Sequence, residues 1–181
     1  MAESRGRAII GSPFSFEAAA FLTNPVLFPG NRAPAFTLPA DSGDKVRLTE
    51  HRGRWVVLFF LPLTLTPSCC LQAREFQKEA DKFGNLGAVV VGVSPSNHMR
   101  HSEFREKNKL NYPMLHDRDA KLAIRYGVYR ERKTNVRNYL GIVRTTVLID
   151  PAGKVVHLWD NLRVKGHVSR VYARLEEELQ N

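Results

Sequence analysis

Two periods alternate along the chain. WVVLFFL, residues 55–61, is apolar at every position, and LGAVVVGVS, ending at Ser94, is nearly so. Runs of that length, buried on both faces, are central parallel strands covered by helices. Between them a three-to-four spacing takes over: Cys69, Ala73, Phe76, Ala80 and Phe83 fall on one stripe, which predicts a helix from about Pro67 to Phe83 closed by Gly84, with that stripe facing the core. HMRHSEFREKNKL predicts a surface helix, YPML a short strand, and DAKLAIRYGV a helical turn or two with Leu122, Ile124 and Tyr126 inward. TTVLIDPAGKVVHLW predicts a hairpin, two β-branched runs around the turn Asp150–Gly153. HVSRVYARLEEELQ predicts a closing amphipathic helix with Val168, Val171, Leu175 and Leu179 on one stripe. Upstream, AFTL and KVRLT flank Ser42-Gly43 as a smaller hairpin. Strands alternate with helices until the antiparallel pair, so the expected fold is α/β, a central mixed sheet flanked by helices.

Organisation follows from the punctuation. Pro and Gly at turn spacing begin near Pro29, so residues 27–181 are expected to form one domain and residues 1–26 an N-terminal extension. The extension lacks the unbroken apolar stretch of a secretory signal because Glu17 interrupts it. A helical arm and an organellar transit peptide both stay open. The two cysteines are adjacent, which is no disulfide framework, and a reducing, cytoplasmic setting is expected.

With 27 Lys plus Arg against 18 Asp plus Glu, the chain carries +9. The basic residues are densest between Arg118 and Arg137. Charge of this sign admits nucleic acid, yet no recognition motif accompanies it, and Tyr126 and Tyr129 read as core. An acidic protein partner is the expected use of the patch; nucleic acid and membrane are not expected. Glycine-rich phosphate loops and dinucleotide fingerprints are absent from the sequence, so no cofactor is expected. His98 and His101 are helix neighbours, but two histidines are too few for a metal site, and a solvated face is the expected reading.

The chemistry gathers at TLTPSCC, residues 64–70. Thr66 suits the N-cap, Pro67 the first helical position, and Cys69 then falls third, among unpaired backbone N–H groups at the positive end of the helix dipole. That placement favours thiolate over thiol. Cys70 points about 100° away around the helix and reads as a buried apolar residue. A bond between the two would close an eight-membered ring through a distorted peptide, so they are not expected to pair.

PLTLTPSC, Pro62 to Cys69, resembles the PxxxTxxC signature of the peroxiredoxins, AhpC/TSA-like thiol peroxidases on a thioredoxin-like fold. GNRAPAFTLP, VVVGVSPSN, NYPMLHDRDAKLAIRYGV, GIVRTTVLIDPAGKVV and VKGHVSRV resemble further segments of that family in the same order, the last two those of its bacterioferritin-comigratory, or peroxiredoxin Q, branch. The resemblance implies Cys69 as peroxidatic nucleophile, Thr66 as hydrogen-bonding partner of peroxide and sulfur, Pro62 as a shield, and Arg144 as the cation that stabilises thiolate and polarises peroxide. It implies a hydroperoxide substrate and a thioredoxin-like protein or small thiol as reductant, on a monomer or homodimer. Many members of the branch carry a resolving cysteine five residues after the first, where this chain has Arg74, and their Cys-Thr-x-Glu continuation is replaced here by Cys70 and Gln72. A one-cysteine cycle reduced by an outside thiol is therefore favoured, with an intersubunit disulfide and participation by Cys70 left open. A non-catalytic redox sensor on the same fold is the alternative. A Cys-x-x-Cys oxidoreductase is disfavoured, because the motif is missing.

Overall fold

A computed structural model describes residues 27–133 and 138–181. The N-terminal extension, residues 1–26, for which a helical arm and a transit peptide both stayed open, lies outside the described residues. Five strands form the central sheet in the order β5 (Met114–His116), β4 (Ala88–Ser94), β3 (Trp55–Phe60), β8 (Thr145–Ile149), β9 (Val155–Trp159). β3 and β4 are parallel, as are β4 and β5, while β8 runs antiparallel to both β3 and β9. The sheet is therefore mixed.

Strand β3 explains why its sequence is apolar throughout. Val56, Leu58 and Phe60 face one side, packing with Phe36, Leu115, Tyr126 and Ile149; Val57, Phe59 and Leu61 face the other, against Phe76, Phe104, Leu148 and Val171. Helices α1 (Pro67–Asn85), α2 (His98–Asn108) and α4 (His167–Gln180) cover that second face. The short α3 (Lys121–Arg125) and the segment from Leu27 through the hairpin β1 (Thr37–Pro39) and β2 (Lys45–Arg47) cover the first. Gly92 of β4 makes room for side chains of the two strands beside it: a Cβ there would meet the Met114 sulfur of β5 at 2.3 Å and Phe59 of β3 at 2.8 Å.

Both expected hairpins form, with β1 and β2 paired Leu38 to Val46 and β8 and β9 paired Val147 to Leu158. Several positions differ from expectation. Gly84 does not close α1, which runs on to Asn85; the N–H groups of Leu86 and Gly87 cap its last carbonyls, and the left-handed residue is Gly87, at φ +72°. Leu179 is exposed on the last turn of α4, Ala80 is half-buried, and Ile124 is half-buried in the wall of a cleft. The sequence reading also missed a hairpin, β6 (Tyr129–Lys133) with β7 (Asn138–Ile142), which stands apart from the main sheet. Among the described residues no helix is long and apolar enough to cross a membrane.

Candidate active site

At the end of β3 the chain leaves the sheet at Leu61, whose N–H still bonds Val93 O at 2.9 Å, and turns through Pro62–Thr66 into α1. Leu65 takes a left-handed conformation at φ +64°, a geometry that costs a non-glycine residue about 1–2 kcal/mol. The turn is nevertheless held firmly. On its helix side, Thr66 is the N-cap, its hydroxyl accepting from the Cys69 N–H at 3.3 Å, and Pro67 occupies the first helical position. Cys69 is the third residue of the helix, as expected.

Arg144 enters from the opposite side of the sheet order, in the link between β7 and β8. Its guanidinium grips the first turn of α1: Nη2 donates to the Cys69 sulfur at 3.2 Å and to Ser68 Oγ at 3.1 Å, and Nη1 donates to Gln72 Oε1 at 2.6 Å. No carboxylate among the described residues bonds this cation. Gln72 itself is fully buried, and its Nε2 has no hydrogen-bond partner among the described residues.

Cys69 is 0% exposed. Above it, Pro62, Thr66, Ser68 and Arg144 form part of the wall of a cleft of about 830 Å3, whose far side is the β6–β7 hairpin. The four residues singled out from the sequence, Cys69, Thr66, Arg144 and Pro62, thus converge on one place. Arg74 lies exposed on α1, and Cys70 is 5% exposed in the core beneath, with Asn108 Nδ2 at 3.7 Å from its sulfur. Both thiols are free.

On the sheet side, the same turn has a support that sequence reasoning missed. Ser96 Oγ accepts from Thr64 N–H at 3.1 Å and meets Thr64 Oγ1 at 2.9 Å; Ser96 N–H donates to Ser94 Oγ at 3.0 Å, and His101 Nε2 lies 3.1 Å from the same Ser94 oxygen. Thr64, Ser94, Ser96 and His101 are all buried. The expectation that His98 and His101 share a solvated face is therefore wrong for His101, while His98 is exposed. Asn97 caps α2 by accepting from Arg100 N–H at 2.9 Å, which sets the helix phase so that His101, Phe104 and Asn108 face inward. That three-then-four spacing was the available signal. Burial lowers the His101 pKa to about 4, helped by His116 and His98 and opposed by the Asp41 carboxylate, which is itself paired with Arg105 at 2.7 Å. Among the described residues no group of three or more His, Cys, Asp or Glu side chains could hold a metal ion.

A mixed sheet with its nucleophile candidate at the first turn of the helix after the central strand defines a thioredoxin-fold peroxiredoxin. Comparison with known proteins agrees: the AhpC/TSA family matches residues 29–158, and the chain belongs to it. It is 36% identical to peroxiredoxin Bcp of Bacillus subtilis over 82% of this chain and 94% of that one, and 35% identical to peroxiredoxin Bcp of Escherichia coli K12 over 82% and 95%. Among solved structures, Xanthomonas campestris peroxiredoxin Q superposes with a TM-score of 0.75 at 32% identity, covering 78% of this chain and 90% of that chain. The bacterioferritin comigratory protein of the same organism, described for its alkyl peroxide reduction activity, gives 0.76 at 31%, covering 79% and 91%. This chain is thus a peroxiredoxin enzyme, a thiol peroxidase whose class takes a peroxide substrate and a thiol reductant.

Proposed function

We propose that Cys69 is the peroxidatic nucleophile of a one-cysteine cycle. The Cys69 thiolate attacks the terminal oxygen of hydrogen peroxide or an organic hydroperoxide, the O–O bond breaks, and the other oxygen leaves as alkoxide or hydroxide to be protonated. Cys69 is left as sulfenic acid. Arg144 holds the anionic sulfur through a charge-assisted hydrogen bond and offers its remaining N–H groups to the polarising peroxide. Thr66 supplies a hydroxyl beside the sulfur, and Pro62 closes the cleft wall against bulk water. The observation that carries this reading is the 3.2 Å contact between Arg144 Nη2 and the Cys69 sulfur.

With Arg74 where a resolving cysteine is common and Cys70 buried against Asn108, the second thiol comes from outside the chain. An external thiol displaces water from the sulfenic acid to form a mixed disulfide, and a second thiol releases Cys69 and a disulfide product. The test is one equivalent of peroxide added to reduced protein, with the reaction followed in time and the product weighed intact. A rapid gain of ~16 Da on Cys69 is expected. A loss of ~2 Da in the monomer would instead show that Cys69 and Cys70 pair, and slow oxidation would favour a redox sensor over a peroxidase.

A further inference from the structure

The cleft above Cys69 is larger and more basic than a peroxide needs. Two oxygen atoms placed against Thr66 and Arg144 occupy a small corner of about 830 Å3, a size within the ~300–1,000 Å3 range of small-molecule sites. The remainder carries two further guanidiniums, Arg118 and Arg132, against one carboxylate, Asp119, which faces Lys121 at 3.7 Å. Arg132 is held in place: its Nη1 donates to Ile142 O at 3.4 Å and its guanidinium stands 5.8 Å from the Tyr139 ring centre. Arg118 is exposed and has no hydrogen bond or ion pair among the described residues. Among the described residues the cleft therefore carries three guanidiniums, Arg118, Arg132 and Arg144, against the single carboxylate of Asp119.

We infer that this basic cleft binds the reductant, a carboxylate-bearing low-molecular-weight thiol of tripeptide size, with Arg118 and Arg132 taking its carboxylates while its sulfur approaches Cys69. The inference rests on the one-cysteine reading above. Three features favour a small anionic thiol. Any thiol that resolves the sulfenic acid must reach the Cys69 sulfur, which Arg144 of the cleft wall contacts at 3.2 Å. A concave site of this volume encloses a small molecule, whereas a folded protein reductant docks on a flatter surface. The attacking species is itself an anion, so the guanidiniums attract both its thiolate and its carboxylates, Arg binding the latter as a planar fork. The step balances: Cys69–SOH plus RSH gives Cys69–S–S–R and water, and a second RSH gives Cys69–SH and RSSR.

The experiment oxidises the protein with one equivalent of peroxide and then adds glutathione, 2-mercaptoethanol or cysteamine, each rate corrected for its thiolate fraction. Glutathione is expected to form the mixed disulfide at least ~10-fold faster than the neutral thiol, with cysteamine slowest and the advantage shrinking as salt is raised. In Arg118→Glu with Arg132→Glu the glutathione to 2-mercaptoethanol ratio is expected to fall about tenfold, and Arg118→Lys should retain most of it. The double variant is read only once it keeps the parent rate with 2-mercaptoethanol, so that its ratio reports the lost charge and not a damaged fold. Equal rates for the three thiols, an unchanged ratio in the double variant, or turnover with thioredoxin alone would overturn the inference. So would a charge effect confined to the oxidation step with a carboxylate-bearing hydroperoxide. Failure of peroxide to oxidise Cys69 at all would overturn the one-cysteine reading first, and this inference with it.

Discussion

The turn Pro62–Thr66 is held from two sides that could hardly differ more. Toward the cleft, the Arg144 guanidinium is met, among the described residues, by the oxygens of Ser68 and Gln72 and by the Cys69 sulfur, and it borders a basic hollow. Toward the sheet, hydroxyls and an imidazole form a sealed chain, Thr64 to Ser96 to Ser94 to His101, in which burial keeps the histidine uncharged. The difference teaches a division of labour. Fixed charge in a poorly screened site acts strongly on whatever lies nearby, so a second cation behind the turn would add to the field at the sulfur. Neutral hydrogen bonds fix geometry without that effect.

The largest way to break this comparison is to remove the sulfur. Cys69→Ser is expected to cut peroxidase turnover by on the order of 10^4-fold or more while the fold stays intact, and residual activity near the parent level would reassign the nucleophile to Cys70. Next comes the cation. Arg144→Ala removes the one charged donor that bonds the sulfur among the described residues and should slow sulfenic acid formation about 10^2-fold, read by stopped-flow with peroxide in excess. An unchanged rate would place the Arg144 contact outside the chemistry.

The sealed side is tested through pH, alongside a second buried histidine, His167, whose Nε2 lies 2.8 Å from Thr146 Oγ1 outside that chain. His101 and His167 are both lowered from 6.5 to about 4, mainly by burial, so the unfolded chain binds more protons than the folded one between those values. Stability is therefore full above about pH 6.5 and falls as pH drops toward about 4, each histidine contributing a slope approaching ~1.4 kcal/mol per pH unit. His51 and His157 are lowered too, so His101→Gln should remove one histidine's share of the slope in urea titrations from pH 7 to 4, and an identical slope in the variant would show that His101 does not titrate on unfolding. The smallest effect is expected for Ser96→Ala, which strips the partner from a buried Thr64 N–H and should cost about 1–3 kcal/mol. If the sealed chain only positions the turn, its effect on the peroxide step should be far weaker than that of Arg144→Ala.

The two sides were also unequally legible. Thr66, Pro67 and Cys69 are neighbours in sequence, and local capping chemistry alone orders them. Arg144 lies 75 residues from Cys69, so nothing local joins them, and only resemblance to a family brought the pair together. The central strands were readable because their burial on both faces leaves an uninterrupted apolar record. By contrast, β6 is one tyrosine followed by four charged residues, and in β7 Tyr139 and Leu140 stay partly exposed, so no inward-facing period marks that hairpin. His101 was misplaced because the face a helical residue presents depends on where the helix starts, and the Asn97 cap that sets this was not weighed.

That late-found hairpin has a consequence for how such an enzyme diversifies. Its two strands pair with each other and with no other described strand, yet they wall one side of the chamber over the nucleophile. Insertions or replacements along this ribbon can reshape the entrance while the sheet that anchors the sulfur stays as it is. Selectivity for what enters can thus drift across generations independently of the reacting centre.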